Sequence, residues 1–171
     1  MKTVVLGPRP AELESLLERR RFLGLDIFDE VWEGTYHVAP APHSDHGLLG
    51  NELTRVILPL AEAAGLICTD PFNLGEPDNY RVPDHGWLRG RPGSTFVPTA
   101  AIVVEVVSPD DETFEKLPFY AAHGVDEVLI AERDVERVSI FTLVGDHYEP
   151  TDRSALLNVS AEELAGPVRW P

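Results

Sequence analysis

The sequence predicts an α/β fold in a single domain. Three observations support this. The chain has 171 residues, about one domain's worth and enough to bury a continuous core without disulfides or a structural metal. Its hydrophobic (43%) and charged (25%) fractions lie near globular averages, which excludes disorder or collagen-like repetition. Segments with helical spacing alternate with short strand-like runs, with no internal repeat, low-complexity tract or linker between them.

Along the chain, Pro8-Arg9-Pro10 precedes a helix reaching about residue 23. Leu13, Leu16, Leu17 and Phe22 fall at helical intervals, and Pro10 suits the first turn. Residues 26–39 read as two strands about a Glu33-Gly34 turn. A second helix is expected over 45–64, capped by Ser44 or Asp45, with Leu49, Leu53 and Ile57 on its apolar stripe. Pro59 predicts a kink or early end, and Gly65 a stop. Short strands are expected at 66–69 and 80–87.

The most apolar strand is Ala101-Ile102-Val103-Val104-Glu105-Val106-Val107, ended by Ser108-Pro109. Apart from Glu105 it is apolar on both alternating faces, as in a strand buried on both sides. A helix at 112–123, strands at 126–131 and 137–144, and a hairpin partner at 147–150 across Gly145-Asp146 complete the pattern.

Asp and Glu number 29 against 14 Lys and Arg, giving a net charge of −15. Such a balance excludes a broad basic surface for coating DNA or an anionic membrane, though not a local phosphate site. Cys68 is the sole cysteine, so no intrachain disulfide or Cys-x-x-Cys metal site can form. No apolar run approaches the ~20 residues of a membrane-spanning helix, and the apolar start Val4-Val5-Leu6 is too short for a signal peptide. A soluble cytoplasmic protein is expected. Closed two-fold dimers are the commonest soluble oligomers, so a homodimer is expected as well.

Glu105 is the informative residue. A carboxylate in a doubly buried strand costs several kcal/mol unless protonated, paired or bound to a metal. Mg²⁺ is a candidate partner, because hard cations prefer carboxylate and carbonyl oxygens. Asp84 lies 21 residues earlier in Arg81-Val82-Pro83-Asp84, a spacing that fits one strand and a return to a neighbouring strand. Two side chains sharing a face there would stand about 5 Å apart. Lysine occurs only at Lys2 and Lys116, and a βα unit can return Lys116 over the carboxyl end of the Glu105 strand. Asp, Glu and Lys about one divalent ion make a phosphodiester-hydrolysis site. Read singly, Asp84 is equally a turn residue, Glu105 a structural ion-pair partner of Arg81 or Lys116, and Lys116 a solvated lysine.

Three segments together resemble the Uma-type putative restriction endonuclease family of the PD-(D/E)XK nuclease superfamily. They are Tyr80-Arg81-Val82-Pro83-Asp84, then Ile102-Val103-Val104-Glu105-Val106-Val107-Ser108-Pro109, then Glu115-Lys116-Leu117-Pro118-Phe119-Tyr120-Ala121-Ala122-His123-Gly124-Val125. Trp32-Glu33-Gly34 and the run Ala39–His46 resemble the family's strand turn and helix lead-in. The likeness covers about residues 26–145 and implies one domain over 1–171, its core a central mixed sheet flanked by helices. The acidic pair of the family's pattern falls on Asp84 and Glu105. The superfamily's lysine position two residues after the glutamate holds Val107, and Lys116 matches members whose lysine lies on the next helix. The aromatic residue and aspartate of the family after the Gly-Val turn are replaced by Val128–Glu132.

The resemblance implies a metal-dependent endonuclease hydrolysing DNA, with Mg²⁺ or Mn²⁺ held by Asp84, Glu105 and the Val106 carbonyl. Lys116 would orient the attacking water or stabilise transition-state charge. Glu52 and Glu33 are further candidates near the ion, each also readable as solvated. His46 is a further candidate for the metal or a helix-capping residue. The −15 charge opposes DNA, so either a strip from Arg81, Arg89 and Arg91, with Arg19–Arg21 farther off, meets the phosphates, or a basic protein partner does. Two other functions stay open: a catalytically silent nuclease-fold interaction domain, and a small-molecule phosphodiesterase.

Overall fold

A computed structural model of the protein describes residues 4–6, 11–108 and 112–171. The prolines expected to start the first helix and to end the Glu105 strand, at 8, 10 and 109, lie outside those residues. Strand β1 (Val4–Leu6) and helix α1 (Ala11–Phe22) precede the hairpin β2 (Glu30–Trp32) and β3 (Thr35–Val38). That hairpin turns on Glu33 and Gly34 with φ of 45° and 80°, the two left-handed residues of a type I′ turn. Helix α2 (Ser44–Ala63) is followed by β4 (Ile67–Thr69), β5 (Asn73–Glu76), β6 (Asn79–Arg81), β7 (His85–Leu88), β8 (Phe96–Val97) and β9 (Ile102–Val106). A 3-10 turn (Thr113–Lys116) leads directly into α3 (Leu117–Ala122). Strands β10 (Glu127–Glu132), β11 (Arg137–Val144), β12 (His147–Thr151), β13 (Arg153–Ser154) and β14 (Val159–Ser160), then helix α4 (Ala161–Ala165), complete the chain.

Among the described residues the strands form two six-stranded sheets and a short ribbon of β13 and β14. One sheet runs β1-β3-β2-β6-β5-β8, the other β12-β11-β10-β9-β7-β4. The second is mixed: β9 and β10 are parallel, while β7 runs antiparallel to β9. On one face Leu49, Leu53, Ile57 and Ala61 of α2 pack against Ile102, Val104 and Val106. On the other, Phe119 and Tyr120 of α3 pack against Val103 and Val128. Strand alternation puts Glu105 on the α3 face.

The expected single strand over 80–87 is two strands in different sheets. Pro83 has no N–H to donate to a ladder, so β6 ends at Arg81, β7 begins at His85, and Asp84 sits at the joint. The expected helix over 112–123 begins as the 3-10 turn, and Pro118 occupies the first turn of α3, where its missing N–H costs nothing. Helix α2 does not end early at Pro59, which lies on the solvent face, where water can meet the carbonyl it frees. Its cap is His43, which accepts from the Asp45 N–H at 3.2 Å, rather than Ser44 or Asp45. The α1 stripe is only partly used: Leu17 is buried, whereas Leu16 and Phe22 are exposed.

Candidate active site

The site forms where the two sheets meet, at the end of β9 and the start of β7. Pairing of β7 with β9 sets His85 against Val104, and one residue further the same register sets Asp84 opposite Glu105. Glu105 is 3% exposed. Lys116, from the 3-10 turn, places Nζ 3.2 Å and 3.4 Å from the two Glu105 carboxylate oxygens. The Tyr120 hydroxyl, one turn further along, donates to Glu105 Oε1. Asp84 accepts from His46 at Oδ1 (2.9 Å) and from the Val106 N–H at Oδ2 (2.8 Å). The second ring nitrogen of His46 lies 3.0 Å from Ser108 Oγ.

A third carboxylate completes the cluster. Glu30, buried on β2, approaches Lys116 Nζ at 3.0 Å through Oε1. The same oxygen accepts from the Val82 N–H (2.8 Å), and Oε2 from the Trp32 indole N–H (2.6 Å). These groups border a cavity of about 880 Å³ whose lining also includes His37, Glu112 and Arg133. His37 meets Glu112 at 3.2 Å, and Arg133 meets Asp45 at 3.1 Å.

Charge decides the character of the site. Glu30, Asp84 and Glu105 crowd about one ammonium, that of Lys116, while the His46 imidazole also acts on Asp84 and the buried Arg81 guanidinium on Glu30. Burial pushes Glu105 up to about 8, assisted by Asp84 and Glu30 and opposed by Lys116 and the Tyr120 hydrogen bond. Burial would also raise Asp84, but the His46 hydrogen bond and charge, Lys116 and the Val106 N–H hold it below the usual carboxylate range. Burial would depress Lys116, yet Glu105, Glu30 and Asp84 outweigh it and raise the ammonium well above the ordinary lysine value. Lys116 therefore stays charged at any physiological pH.

The structure brings together Asp84, Glu105, Lys116, Val106 and His46 from the sequence-based set. It does not bring Glu52 or Glu33. Glu52 binds Arg55 at 2.7 Å and accepts from the Arg169 N–H at 3.3 Å. Glu33 is 74% exposed at the hairpin turn, 3.4 Å from Arg81. Glu30 and Tyr120 escaped the sequence reading. For Glu30 the available signal was an acid in the strand-like run Asp29-Glu30-Val31-Trp32; for Tyr120 nothing separated it from a packing aromatic.

The donor set fits a hard divalent cation: the carboxylate oxygens of Asp84 and Glu105 beside a strand-end carbonyl. Among the described residues no three His, Cys, Asp or Glu side chains converge as a preformed cage. Few protein ligands with retained waters is the usual mode for Mg²⁺. No helix among the described residues is long and apolar enough to cross a membrane.

Compared with known proteins, the chain is similar in fold to a solved structure from Anabaena variabilis ATCC 29413, a putative nuclease belonging to DUF820. The TM-score is 0.64 at 15% identity, with 81% of this chain and 90% of that one covered. No curated protein matches. The family model described as Uma2, putative restriction endonuclease, matches residues 20–169, a span that holds every residue of the cluster, and the chain belongs to that family.

Proposed function

We propose that the protein is a divalent-cation-dependent endonuclease that hydrolyses DNA phosphodiester bonds. The observation that carries this reading is the crowding of buried Glu105 with Asp84 and Glu30 about Lys116, which leaves the Glu105 carboxyl pushed up to about 8. Asp84, Glu105 and the Val106 carbonyl would hold Mg²⁺ or Mn²⁺. When bound, the ion would acidify a water and polarise the scissile phosphate.

The protein's own groups do the rest. Lys116, fixed as a cation by Glu30 and Glu105, would stabilise the charge that develops on the phosphate. The Tyr120 hydroxyl and Val106 N–H orient the two carboxylates and restrict their rotation. His46 fixes the other oxygen of Asp84 and ties it to Ser108. The surrounding apolar core excludes bulk water, so these charges act in a low-dielectric setting.

Arg133 lines the cavity, where it is already paired with Asp45 and Asp134 at 3.1 Å each and would have to exchange one of them for a phosphate; Arg81 is buried and Arg89 is held by Asp126 at 2.6 Å. A homodimer could supply further basic contacts. The test is conversion of supercoiled plasmid in Mg²⁺ or Mn²⁺. Nicking or linearisation by the wild type, lost in Asp84→Asn and Glu105→Gln and in chelator, is expected. Turnover of a chromogenic phosphodiester with no action on plasmid would overturn the DNA reading in favour of a small substrate.

A further inference from the structure

Arg81 is 2% exposed, an unusual place for a guanidinium. Its central carbon lies 4.1 Å from the Trp32 ring centroid and 4.0 Å from that of Phe119, over both rings. Each ring also meets an imidazole, Trp32 that of His37 (4.5 Å, 15°) and Phe119 that of His123 (3.9 Å, 30°). One amino group of Arg81 donates to the carbonyls of Val31 (3.0 Å) and Tyr80 (3.3 Å) and to Asn79 Oδ1 (3.2 Å). The other reaches Glu33 at 3.4 Å. Its Nε has no hydrogen-bond partner among the described residues. A planar, delocalised guanidinium suits such a site between aromatic rings and backbone carbonyls better than a compact, strongly hydrated lysine ammonium.

Both rings lead to Lys116. The Trp32 indole N–H holds Glu30, and Glu30 holds the Lys116 ammonium. Phe119 is three residues beyond Lys116 and adjacent to Tyr120, which binds Glu105. The geometry points to Arg81 as a positioning residue for the catalytic lysine: in contact with both Trp32 and Phe119, it ties the β2 carboxylate clamp to the α3 segment that follows Lys116. This inference rests on the role given to Lys116 above, and it moves Arg81 from a phosphate contact to the interior support of the site.

The test reads Lys116 itself. Lys2 and Lys116 are the only lysines, so an amine-reactive reagent followed by mass spectrometry of the Lys116 peptide reports its exposure without any assay of activity. In Arg81→Gln, at least a tenfold faster labelling of Lys116 is expected with the far-ultraviolet circular dichroism unchanged. Trp32→Phe keeps a ring for Arg81 but removes the indole donor, and the same direction of change is expected, so the proposal stays testable should Arg81→Gln not fold. Leu164→Ala, which loosens the core at α4, serves as an equally destabilised control and should leave Lys116 protected. Lys116 labelling unchanged in a folded Arg81→Gln or in Trp32→Phe, or raised equally in Leu164→Ala, overturns the proposal. Where plasmid cleavage is measurable, Arg81→Gln should lower kcat at least tenfold with KM for DNA within about twofold. A raised KM with kcat retained would instead make Arg81 a DNA contact. Failure of the wild type to cleave would refute the nuclease reading while leaving the labelling result to judge Arg81.

Discussion

Glu105 has a raised folded-state pKa, and the sign of its effect on stability follows from that. Below about pH 4.5 the carboxyl is protonated in both folded and unfolded chains, so its contribution is fully present. As pH rises toward about 8 the unfolded chain releases the proton and the folded one retains it, so stability falls across that window. In chelator, denaturation followed from pH 5 to pH 8 should show this decline, at most about 1.4 kcal/mol per pH unit for one proton. Glu105→Gln should flatten it; an unchanged slope in that variant would assign the decline elsewhere. Lys116→Ala removes the cation that bridges two buried acids, and its expected result is loss of cleavage together with a stability cost of about 3–5 kcal/mol near neutral pH. Urea denaturation beside plasmid cleavage checks both; lost stability with full cleavage would remove the lysine from the chemistry. Glu105 and Lys116 were legible in the sequence because an acid interrupting a β-branched run and a rare lysine stand out locally. Glu30 was not, since its burial depends on the 3-10 turn of a segment more than eighty residues away.

Elements place these side chains through close approaches that single residues permit. Helix α2 crosses β7 at Gly50, where a Cβ would collide with the His85 imidazole, itself held by Asp70 and Thr54. Gly50→Ala should push the helix outward, cost about 1–3 kcal/mol and, because His46 lies one turn earlier, loosen its bond to Asp84. Thermal denaturation and the histidine nuclear magnetic resonance signals would check this, and a neutral substitution would contradict the close-approach account. On β10, buried Glu127 accepts from Ser154 Oγ and from the Ala155 and Leu156 N–H groups. Glu127→Ala should release that turn and the α4 segment at about 2–4 kcal/mol, read as loss of amide-exchange protection confined first to residues 153–165. Regular runs such as β9, β11 and the Glu33-Gly34 hairpin were readable from pattern alone. Strands β5 and β8, the β13–β14 ribbon and the short α4 were not, because two to five residues carry no period and owe their conformation to tertiary partners. The split at Pro83 was written in the residue itself, yet its consequence, Asp84 at a junction of two sheets, required knowing that β6 and β7 belong to different sheets.

Over the whole molecule, the net charge is −15, and many of the arginines are already engaged: Arg20 with Asp29, Arg55 with Glu52, Arg89 with Asp126, Arg137 with Glu132 and Arg153 with Glu163. Few cations remain to release counterions from DNA, so binding in chelator should be weak, with a logarithmic salt slope no steeper than about −4. Fluorescence anisotropy with labelled duplex checks this, and tight, steeply salt-dependent binding by the isolated chain would contradict it. The convergence of Asp84 and Glu105 at the junction of the two sheets, with Lys116 beside them, is the feature from which the functional account grows. Calorimetric titration of Mn²⁺ into the metal-free protein at pH 8 tests it most directly. The account predicts saturable binding that is lost in both Asp84→Asn and Glu105→Gln; no binding, or binding undiminished in those folded variants, would contradict it.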